Sequence, residues 1–361
     1  MNETIIIGMS GGVDSAVAAS ILIQDGYNVE ALFMKNWDED DKEFCTSSQD
    51  YKDALQVCDT LDIPLRSIDL TKDYWNKVFK IFLKECEIGR TPNPDIICNR
   101  EIKFRVFLDY AINLGANKIA TGHYARIKKQ NGVYNLLRGE DKSKDQSYFL
   151  YRLDQSQISK SVFPLEKINK KLVRQIASDL GFLNHDKKDS TGICFIGERN
   201  FKSFLKKFIK PKPGNIITNE GEIIGEHEGL SFYTLGQRQG LGIGGGYGKK
   251  EAPWYVSDKI IPSNELVIVQ GHDHPDLYHN QLTAKNINWI TGNPPSNNNN
   301  LTAKIRYRGK DANCKLILDN NDILVNFDTP MFAIAPGQSV VFNENEYCIG
   351  GGVIESRSNI N

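Results

Sequence analysis

The sequence of 361 residues lacks the cysteine arrangements on which zinc centres and disulfide frameworks depend. Its seven cysteines form an odd-numbered set that contains no CxxC pair. Four-cysteine zinc sites use such pairs, and a disulfide framework uses cysteines two by two. We therefore predict no resident metal. Cys58 and Cys86 fall on apolar helical faces, and Cys314 and Cys348 fall in strand patterns, so all four are expected to be buried. The remaining cysteines are Cys45, Cys98 and Cys194.

Long apolar runs are also missing. No stretch approaches the roughly eighteen consecutive apolar residues of a membrane-spanning helix, and the first residues lead into a strand without the features of a signal peptide. We expect a cytoplasmic protein without a membrane partner. With a formal net charge of −1, binding to nucleic acid would have to come from local basic patches.

The chain changes character twice along its length. From residue 4 to about 200, β-branched runs alternate with helical periods, which predicts an α/β domain with a parallel sheet. Strands are expected at 4–9, 30–37, 65–70 and 118–125. A lysine-rich helix follows, with either a solvated or a phosphate-facing surface, and short strands with turn signals continue to the C-terminus. We predict a catalytic domain over 1–200, a small mixed central domain over 201–282 and a β-barrel-like domain over 283–361.

The segment IIIGMSGGVDSAVAAS, residues 5 to 20, joins a strand to a helix through a glycine-rich turn. Backbone N–H groups and a helix N-terminus converge at such a turn and attract phosphate. The lysine of GxxxxGK[ST] is missing, and so is GxGxxG, which argues against transfer of a γ-phosphate and against dinucleotide binding. The SGGVDS turn resembles the pyrophosphate loop, or PP-loop, of the N-type ATP pyrophosphatases, which split ATP between the α and β phosphates.

This resemblance implies a set of ATP contacts. Mg²⁺ is expected to bridge the phosphates, with Asp14 as a plausible aid. Met34, at the end of the second predicted strand, and Gly122, at the end of KIATG, lie at the edge where open α/β sheets bind ligands, and the resemblance implies that they contact the adenosine. The loop itself would supply Gly8, Met9, Ser10, Gly11, Gly12, Val13, Asp14 and Ser15.

Two cysteines stand in segments that predict reactive roles. In GRTPNPDIICNREIKF the prolines predict a loop over 93–97 and a helix after it, with Cys98 near the helix N-terminus, where a cationic surrounding favours the thiolate. In DSTGICFIGERNF, Cys194 follows a turn of small residues. A lone cysteine is more often structural. Two loop cysteines beside an adenylating loop favour chemistry instead.

Together these segments resemble the tRNA-specific 2-thiouridylases. The matching pieces are GMSGGVDS, FMKNW, RTPNPDIICNREIKF, IATGHYAR, KDQSYFLYRL, DSTGICFIGERNF, YTLGQRQGLGIGG and APGQSVVF, which span residues 8 to 342. The resemblance implies ATP-dependent thiolation of the wobble uridine. Cys194 would carry sulfur as a persulfide from a donor or relay protein, and Cys98 would release it by forming a disulfide. Asp95 would act as acid or base, although a carboxylate there can also be a loop cap.

The resemblance also implies contacts to tRNA. The segment AKIRYRGK, residues 303 to 310, alternates basic with apolar residues, which predicts a basic strand face that is either bound to phosphate or simply solvated. Asn93, Pro94 and Asp95 would surround the target base. The other implied contacts are His123, Lys144, Asp145, Gln146, Arg306, Tyr307 and Gln338.

Three alternatives stay open at the level of sequence. A ligase that adenylates a small carbonyl compound would need neither Cys98 nor Cys194. An enzyme that thiolates another base is a second alternative, although the CxxC-dependent kind has no support here. A nucleotide-gated RNA-binding module would release no pyrophosphate. Whether Asp95, Cys98 and Cys194 hold an iron–sulfur cluster is likewise left open.

Overall fold

A computed structural model describes residues 2–37, 46–188, 201–243, 252–296, 300–319 and 322–360. The chain forms a parallel sheet, a small mixed sheet and a β-barrel, which confirms the predicted fold class. In the described ranges, no helix has the length and apolar character needed to cross a membrane. The strands are β1 (Thr4–Met9), β2 (Asn28–Lys35), β3 (Leu65–Asp69), β4 (Lys118–Ala120), β5 (Ala125–Gln130), β6 (Val133–Arg138), β7 (Ser161–Val162), β8 (Gly214–Thr218), β9 (Ile223–His227), β10 (Trp254–Ile260), β11 (Glu265–Gln270), β12 (Tyr278–Trp289), β13 (Leu301–Lys304), β14 (Ala312–Asp319), β15 (Asp322–Phe332), β16 (Ser339–Glu344) and β17 (Tyr347–Ser358).

The N-terminal sheet is parallel and has the strand order β3-β2-β1-β4-β7. Ile6 of β1 packs into one apolar cluster, and Ile5 and Ile7 pack into another, because the sheet is covered on both faces. The strand order reverses beside β1, with β2 and β3 on one side and β4 on the other. Open α/β sheets bind their ligands at such a switch point, outside the carboxyl ends of the strands.

Helices flank this sheet and enter the central domain. Two segments widen to π-helical geometry, Trp75–Phe79 and Asn99–Val106, and each continues the helices on either side of it. The α-helices are α1 (Val13–Gln24), α2 (Thr46–Leu61), α3 (Thr71–Tyr74), α4 (Lys80–Glu87), α5 (Pro94–Cys98), α6 (Phe107–Asn113), α7 (Ser147–Leu150), α8 (Gln155–Ile158), α9 (Lys170–Asp179) and α10 (Phe201–Leu205); short 3₁₀ helices cover Leu230–Phe232 and Pro275–Leu277.

The segment around Cys98 folds differently from the prediction. The expected loop over 93–97 is wrong, because the helix begins at Pro94. Asn93 caps it by accepting a hydrogen bond from the backbone N–H of Asp95 at 3.1 Å. Proline suits the first helical position, since its missing N–H would have no partner there. Cys98 therefore lies in the second turn of the helix, fully buried, rather than at its N-terminus.

The buried cysteines were predicted correctly. Cys58, Cys86, Cys314 and Cys348 are all buried. Burial raises the pKa of the thiols of Cys58, Cys86 and Cys314 to about 12, and it raises the pKa of Cys348 as well. Each of these thiols is therefore neutral at physiological pH, as expected of packing residues.

The C-terminal strands close into a barrel in the order β12-β15-β14-β13-β16-β17, with β17 returning to β12. Its interior is apolar, with Leu282, Val325, Phe342 and Ile354 almost fully buried. The central sheet has the order β10-β11-β8-β9. The predicted lysine-rich helix is shorter than expected, because α10 ends at Leu205 and contains one lysine, Lys202, which pairs with Glu228.

A hairpin of the N-terminal domain reaches the barrel. The predicted strand over 118–125 is interrupted after Ala120, and β5 and β6 form an antiparallel hairpin instead. Strand β6 pairs with β17 through Leu136 and Leu137. Arg138 adds an ion pair to Asp311 at 2.6 Å. The domain boundaries at residues 200 and 282 stay predictions. The β5–β6 hairpin connects the N-terminal domain to the C-terminal barrel.

Candidate active site

The phosphate loop follows β1 at the switch point of the sheet and is shaped by its own hydroxyl groups. Ser15 Oγ accepts from the backbone N–H of Ser10 at 3.2 Å and donates to the carbonyl of Gly12 at 3.0 Å. Ser10 Oγ lies 3.2 Å from Ser15 Oγ. The first N–H groups of α1 have no acceptor within the helix, so they point to the space in front of the loop. The loop thus holds donors ready for an anion.

Gly11 is fixed from outside the loop. Its φ of +73° and the carbonyl oxygen of Asp50, which would lie 2.2 Å from an added Cβ, exclude a side chain. Its own carbonyl accepts from Asn184 Nδ2 at 3.0 Å and from Lys187 Nζ at 3.2 Å. Burial alone would lower the pKa of Lys187, but hydrogen bonds from its ammonium group to Asp50 and Asp53 raise it. Lys187 is therefore a fixed cation beside the loop.

Asp14, the carboxylate of the loop, is held by two groups. Lys170 Nζ lies 2.7 Å from Oδ1 and 2.8 Å from Oδ2, and the hydroxyl of Tyr124 donates to Oδ1 at 2.7 Å. Lys170 is the first residue of α9, which packs against α1. A second cation thus lies at the phosphate site.

Gly122 and Met34 both lie at the loop, as predicted from their strands. An added Cβ on Gly122 would lie 2.8 Å from the carbonyl carbon of Asp14, so only glycine permits this approach. Met34 Cε would lie 3.3 Å from a Cβ on Gly8. Both residues therefore lie where the resemblance places the adenosine, although contact with it stays a prediction.

His123 is buried rather than presented to a ligand. Its Nδ1 lies 2.7 Å from the hydroxyl of Thr121, and its ring centroid lies about 6 Å from those of Phe104 and Phe163. Burial, aided by the charge of Lys103, holds its pKa well below the usual value, so the ring is neutral. Its predicted contact with tRNA stays untested, and its packing accounts for its place in the fold.

The helix that carries Asp95 and Cys98 reaches the phosphate loop. It continues without interruption from Pro94 to Asn113. Phe107, on its later turns, has ring atoms 3.6 Å from the Cβ position of Gly8, at the end of β1. Cys98 belongs to the same apolar cluster as Met34 and Phe107. The predicted partner cysteine, Cys194, lies outside the described residues.

The KDQ segment is bonded to the loop that follows β4. Gln146 Oε1 accepts from the backbone N–H of Tyr124, and Gln146 N–H donates to the carbonyl of Tyr124. The buried Asp145 accepts from the N–H groups of Gly139 and Ser147, both at 3.1 Å. Lys144 meets the barrel, because its carbonyl lies 3.5 Å from the hydroxyl of Tyr307. The predicted tRNA segment is thus linked through Tyr124 to Asp14.

The basic strand face predicted over residues 304–308 is wrong. Strand β13 ends at Lys304, and the next residues form a turn. Arg306 Nη2 donates to the carbonyls of Leu235 and Ala333, at 2.9 and 2.8 Å. Burial lowers the pKa of Arg306. The guanidinium therefore joins the central domain to the barrel, while Arg308 is exposed. Contacts of Arg306 and Tyr307 with tRNA stay predictions.

Gln338 lies beside the helix of Cys98. Its Nε2 donates to the carbonyl of Thr91 at 2.8 Å, and the N–H of Thr91 donates to the carbonyl of Pro336 at 2.9 Å. Thr91 stands two residues before the cap Asn93. The barrel is therefore bonded directly to the segment that starts the predicted catalytic helix.

Sequence reasoning missed the residues that hold the phosphate loop, notably Lys170, Asn184 and Lys187. One signal was available for Lys170. A lysine in the first turn of a helix interacts unfavourably with the helix dipole. Its presence there indicates that its charge interacts with another group, such as a carboxylate or a ligand. Nothing local marks Asn184 or Lys187, because their partner Gly11 is more than 170 residues away.

Comparison with protein families matches three successive parts of the chain. Residues 3–198 match the family described as the tRNA methyl transferase HUP domain. Residues 202–270 match its PRC-barrel domain, and residues 279–354 match the aminomethyltransferase beta-barrel domain. Apart from the β5–β6 hairpin, which lies in the first match and pairs with the barrel, the three matches follow the three sheets in order.

Full-length relatives are similar over the whole chain. The tRNA-specific 2-thiouridylase MnmA of Hydrogenovibrio crunogenus is 54% identical over 359 residues, which cover 99% of this chain and 95% of the relative. The proteins of the same name from Nitrosomonas europaea and Ruthia magnifica are 54% and 55% identical. They cover 98% and 99% of this chain, and the alignments span 99% and 98% of those relatives.

Proposed function

Because this chain belongs to the tRNA-specific 2-thiouridylase family, we propose that it is a tRNA-uridine 2-sulfurtransferase. It replaces the oxygen on carbon 2 of the wobble uridine, position 34 of tRNA, by sulfur, with ATP as co-substrate. The product is 2-thiouridine. A cytoplasmic location follows from this choice of substrate and belongs to the proposal.

One observation carries this assignment beyond the resemblance. The helix that carries Asp95 and Cys98 packs against the strand that ends in the phosphate loop, because the ring of Phe107 lies 3.6 Å from the Cβ position of Gly8. Cys98 stands nine residues before Phe107, about 13 Å along the helix. An enzyme that activates a carbonyl with ATP and then displaces the activated oxygen needs both groups at one site. A ligase for a small carbonyl compound would need the loop alone.

The first step activates a poor leaving group. The oxygen on carbon 2 attacks the α-phosphorus of ATP, the bond to the β-phosphate oxygen breaks, and pyrophosphate leaves. The phosphate loop and the cations Lys170 and Lys187 stabilise the negative charge that collects on the pyrophosphate. The oxygen then belongs to an AMP ester, which a sulfur nucleophile displaces.

The second step transfers sulfur. The terminal sulfur of a persulfide on Cys194 attacks carbon 2, and AMP leaves with the original oxygen. The thiolate of Cys98 then attacks the Cys194 sulfur, which breaks the sulfur–sulfur bond and leaves a thiocarbonyl on the base and a disulfide on the protein. A thiol reductant restores the two cysteines. Asp95 assists as acid or base, because it lies three residues before Cys98 on the same short helix.

The phosphate loop offers one carboxylate that could hold Mg²⁺. Mg²⁺ is usually held by one or two carboxylates together with substrate phosphates. Asp14 is the carboxylate within the loop, and it would have to exchange Lys170 for the metal. When bound, the ion supplies charge neutralisation on the phosphates.

Binding of tRNA and delivery of sulfur complete the proposal. Asn93, Pro94 and Asp95 surround the target base. The segment of Lys144 and Gln146 is hydrogen-bonded to Tyr124, beside the phosphate loop. Gln338 is hydrogen-bonded to Thr91, just before the helix of Cys98. A persulfide donor or relay protein supplies Cys194.

Mass spectrometry of tRNA nucleosides tests the reaction. After incubation with ATP, Mg²⁺, unmodified tRNA and a persulfide source, we expect 2-thiouridine at position 34. Unchanged uridine in the presence of an active sulfur source would reject the proposal. Pyrophosphate release without thiolation would favour the small-substrate ligase.

Mass spectrometry of the protein distinguishes the roles of the two cysteines. Cys194→Ser should still adenylate tRNA but transfer no sulfur from the protein donor. Without tRNA, Cys98→Ser should accumulate a persulfide on Cys194 and be heavier by about 32 Da for one sulfur atom, and with ATP and tRNA it should stall as a disulfide between Cys194 and the sulfur on the base. Cys58→Ser, at a buried packing position, serves as the matched control. A persulfide that maps to Cys98 would reverse the two roles.

A further inference from the structure

A cavity of about 570 Å³ lies between the N-terminal and central domains, next to the segment that starts the helix of Cys98. One wall runs from Phe82 to Pro92, and the other runs from Ser231 to Gly240. A volume of this size lies within the range of about 300–1,000 Å³ that is usual for ligand sites. The ATP and cysteine chemistry described above uses none of its side chains.

The cavity is close to the target base. Pro92 lines it, and Asp95 follows three residues later, a separation of at most about 11 Å for extended chain. Thr91, another lining residue, is bonded to the barrel through Pro336 and Gln338. The barrel therefore fixes the position of this wall, which leads directly into the helix of Asp95 and Cys98.

The cations at the cavity are already neutralised. Arg90 pairs with Glu85 at 2.8 Å and with Glu355 at 2.7 Å. Lys202 pairs with Glu228, which also binds Lys206. Neither cation needs a negative charge from an occupant, so the cavity can hold an uncharged group.

The remaining lining groups suit a planar, polar occupant. Phe232 and Tyr233 are aromatic and nearly buried. The hydroxyls of Thr91, Ser231 and Thr234 hydrogen-bond to no other residue in the described ranges. Aromatic surfaces with donors and acceptors beside them are what proteins use to hold single unstacked bases of RNA.

We propose that this cavity receives the base of a nucleotide adjacent to the target uridine. This inference rests on the proposed function, because it assumes that the target base lies at Asp95 and Cys98. It assigns the segment YTLGQRQG to recognition of the anticodon loop. The flanking base leaves its stack and enters between the two domains, while the target base faces the cysteine helix.

Binding of anticodon stem-loop RNA tests the proposal without any chemistry. Each nucleotide that flanks the wobble uridine is replaced in turn by an abasic site. We expect one of the two replacements to raise the Kd of the wild type at least about fivefold, because stacking of one base on aromatic side chains contributes about 1–3 kcal/mol. No change at either position would overturn the proposal.

A cavity-filling variant links the effect to this site. Thr234→Phe should bind intact RNA as weakly as the wild type binds the abasic RNA, and the abasic replacement should then add nothing. Ser263→Phe, at an exposed turn of the same sheet, is the matched control and should behave as wild type. Equal weakening of intact and abasic RNA by Thr234→Phe would overturn the assignment.

Two further measurements keep the outcomes separate. ATP binding by Thr234→Phe reports that the N-terminal domain is intact, and Thr234→Val removes the hydroxyl without filling the cavity if the larger variant does not fold. Normal RNA binding with lost sulfur delivery would mean that a donor protein uses the cavity, which contradicts the proposal. Pyrophosphate release by the wild type with intact RNA tests the proposed function independently.

Discussion

The side-chain nitrogen of Gln338, in the barrel, lies 2.8 Å from the carbonyl oxygen of Thr91, two residues before the cap of the cysteine helix. The two residues are 247 positions apart in the sequence. Next to this bond, a Cβ on Gly337 would lie 2.8 Å from the backbone nitrogen of Thr91, so the two segments touch through their backbones. The barrel thus sets the position of the helix start.

Gln338→Ala should therefore reduce turnover more than affinity. Loss of this hydrogen bond costs about 1 kcal/mol and loosens the segment before Asn93. We expect a several-fold lower kcat for thiolation and a smaller rise in the Kd for tRNA. The exposed Gln130, substituted by alanine, is the control. A raised Kd with unchanged kcat would show instead that Gln338 contacts tRNA directly.

Lys170→Met should weaken binding of pyrophosphate and ATP about tenfold or more, because it removes a cation that lies at the carboxylate of the phosphate loop. Binding of tRNA should not change. Isothermal titration calorimetry measures both. Lys171→Met changes the neighbouring, exposed lysine of the same helix turn and should have no effect. Unaltered pyrophosphate binding in Lys170→Met would remove Lys170 from the phosphate site.

Substitution of Arg306 should affect protein stability, whereas substitution of Arg308 should affect tRNA binding. Arg306→Ala leaves the carbonyls of Leu235 and Ala333 without their donor, so we expect a loss of about 2–3 kcal/mol in stability. Arg308→Ala should leave stability unchanged. If Arg308 meets a phosphate, its loss should lower the salt dependence of tRNA binding by about 0.7 to 0.9 in slope. A lower slope for Arg306→Ala would support its predicted contact with tRNA.

Lys259 should give the protein a pH-dependent stability. Burial lowers its pKa from 10.5 to about 8, although nearby Cys86 and Asp258 oppose this shift. Between these values the unfolded chain binds more protons than the folded chain, so stability rises with pH across that window. Lys259→Met removes the buried charge but also the donor to the carbonyl of Gly89 at 2.8 Å, so it should raise the thermal midpoint only slightly at pH 7.

The advantage of Lys259→Met should shrink with pH. Between pH 7 and 9.5 we expect it to fall by roughly 2 kcal/mol, since the native lysine loses its proton as the pH rises past its folded pKa. Thermal unfolding at several pH values measures the difference between the two proteins. Lys285→Met, at a more exposed site, is the control. A constant difference from pH 7 to 9.5 would contradict the lowered pKa.

Much of the fold could be predicted because its signals are local. The isoleucines of β1 and the glycine-rich turn after them stand within a few residues of each other, and so do the apolar faces around Cys58 and Cys86. The helix start at Pro94 was also readable, because Asn followed by Pro is a favourable cap and first position. The prediction of a loop rests on the preference of proline for extended chain, which does not hold at the first position of a helix.

The remaining errors concern interactions between distant segments. Alternation in residues 303–310 predicted a strand, but the guanidinium of Arg306 is held by carbonyls 71 and 27 residues away, and the backbone turns there. The cations at the phosphate loop come from segments 156 and 176 residues after it. No local pattern in the sequence encodes such pairings.

The β5–β6 hairpin has a consequence for the order of events during synthesis. Its partner β17 is made about 200 residues after it, which takes roughly 10 to 40 s at about 5–20 residues per second. Through that interval the outer edge of β6 has unpaired backbone groups, and open edges invite pairing with other chains. The nascent protein therefore passes through a stage in which its first domain is folded and its sheet edge is still open, and only the last strand of the barrel closes it.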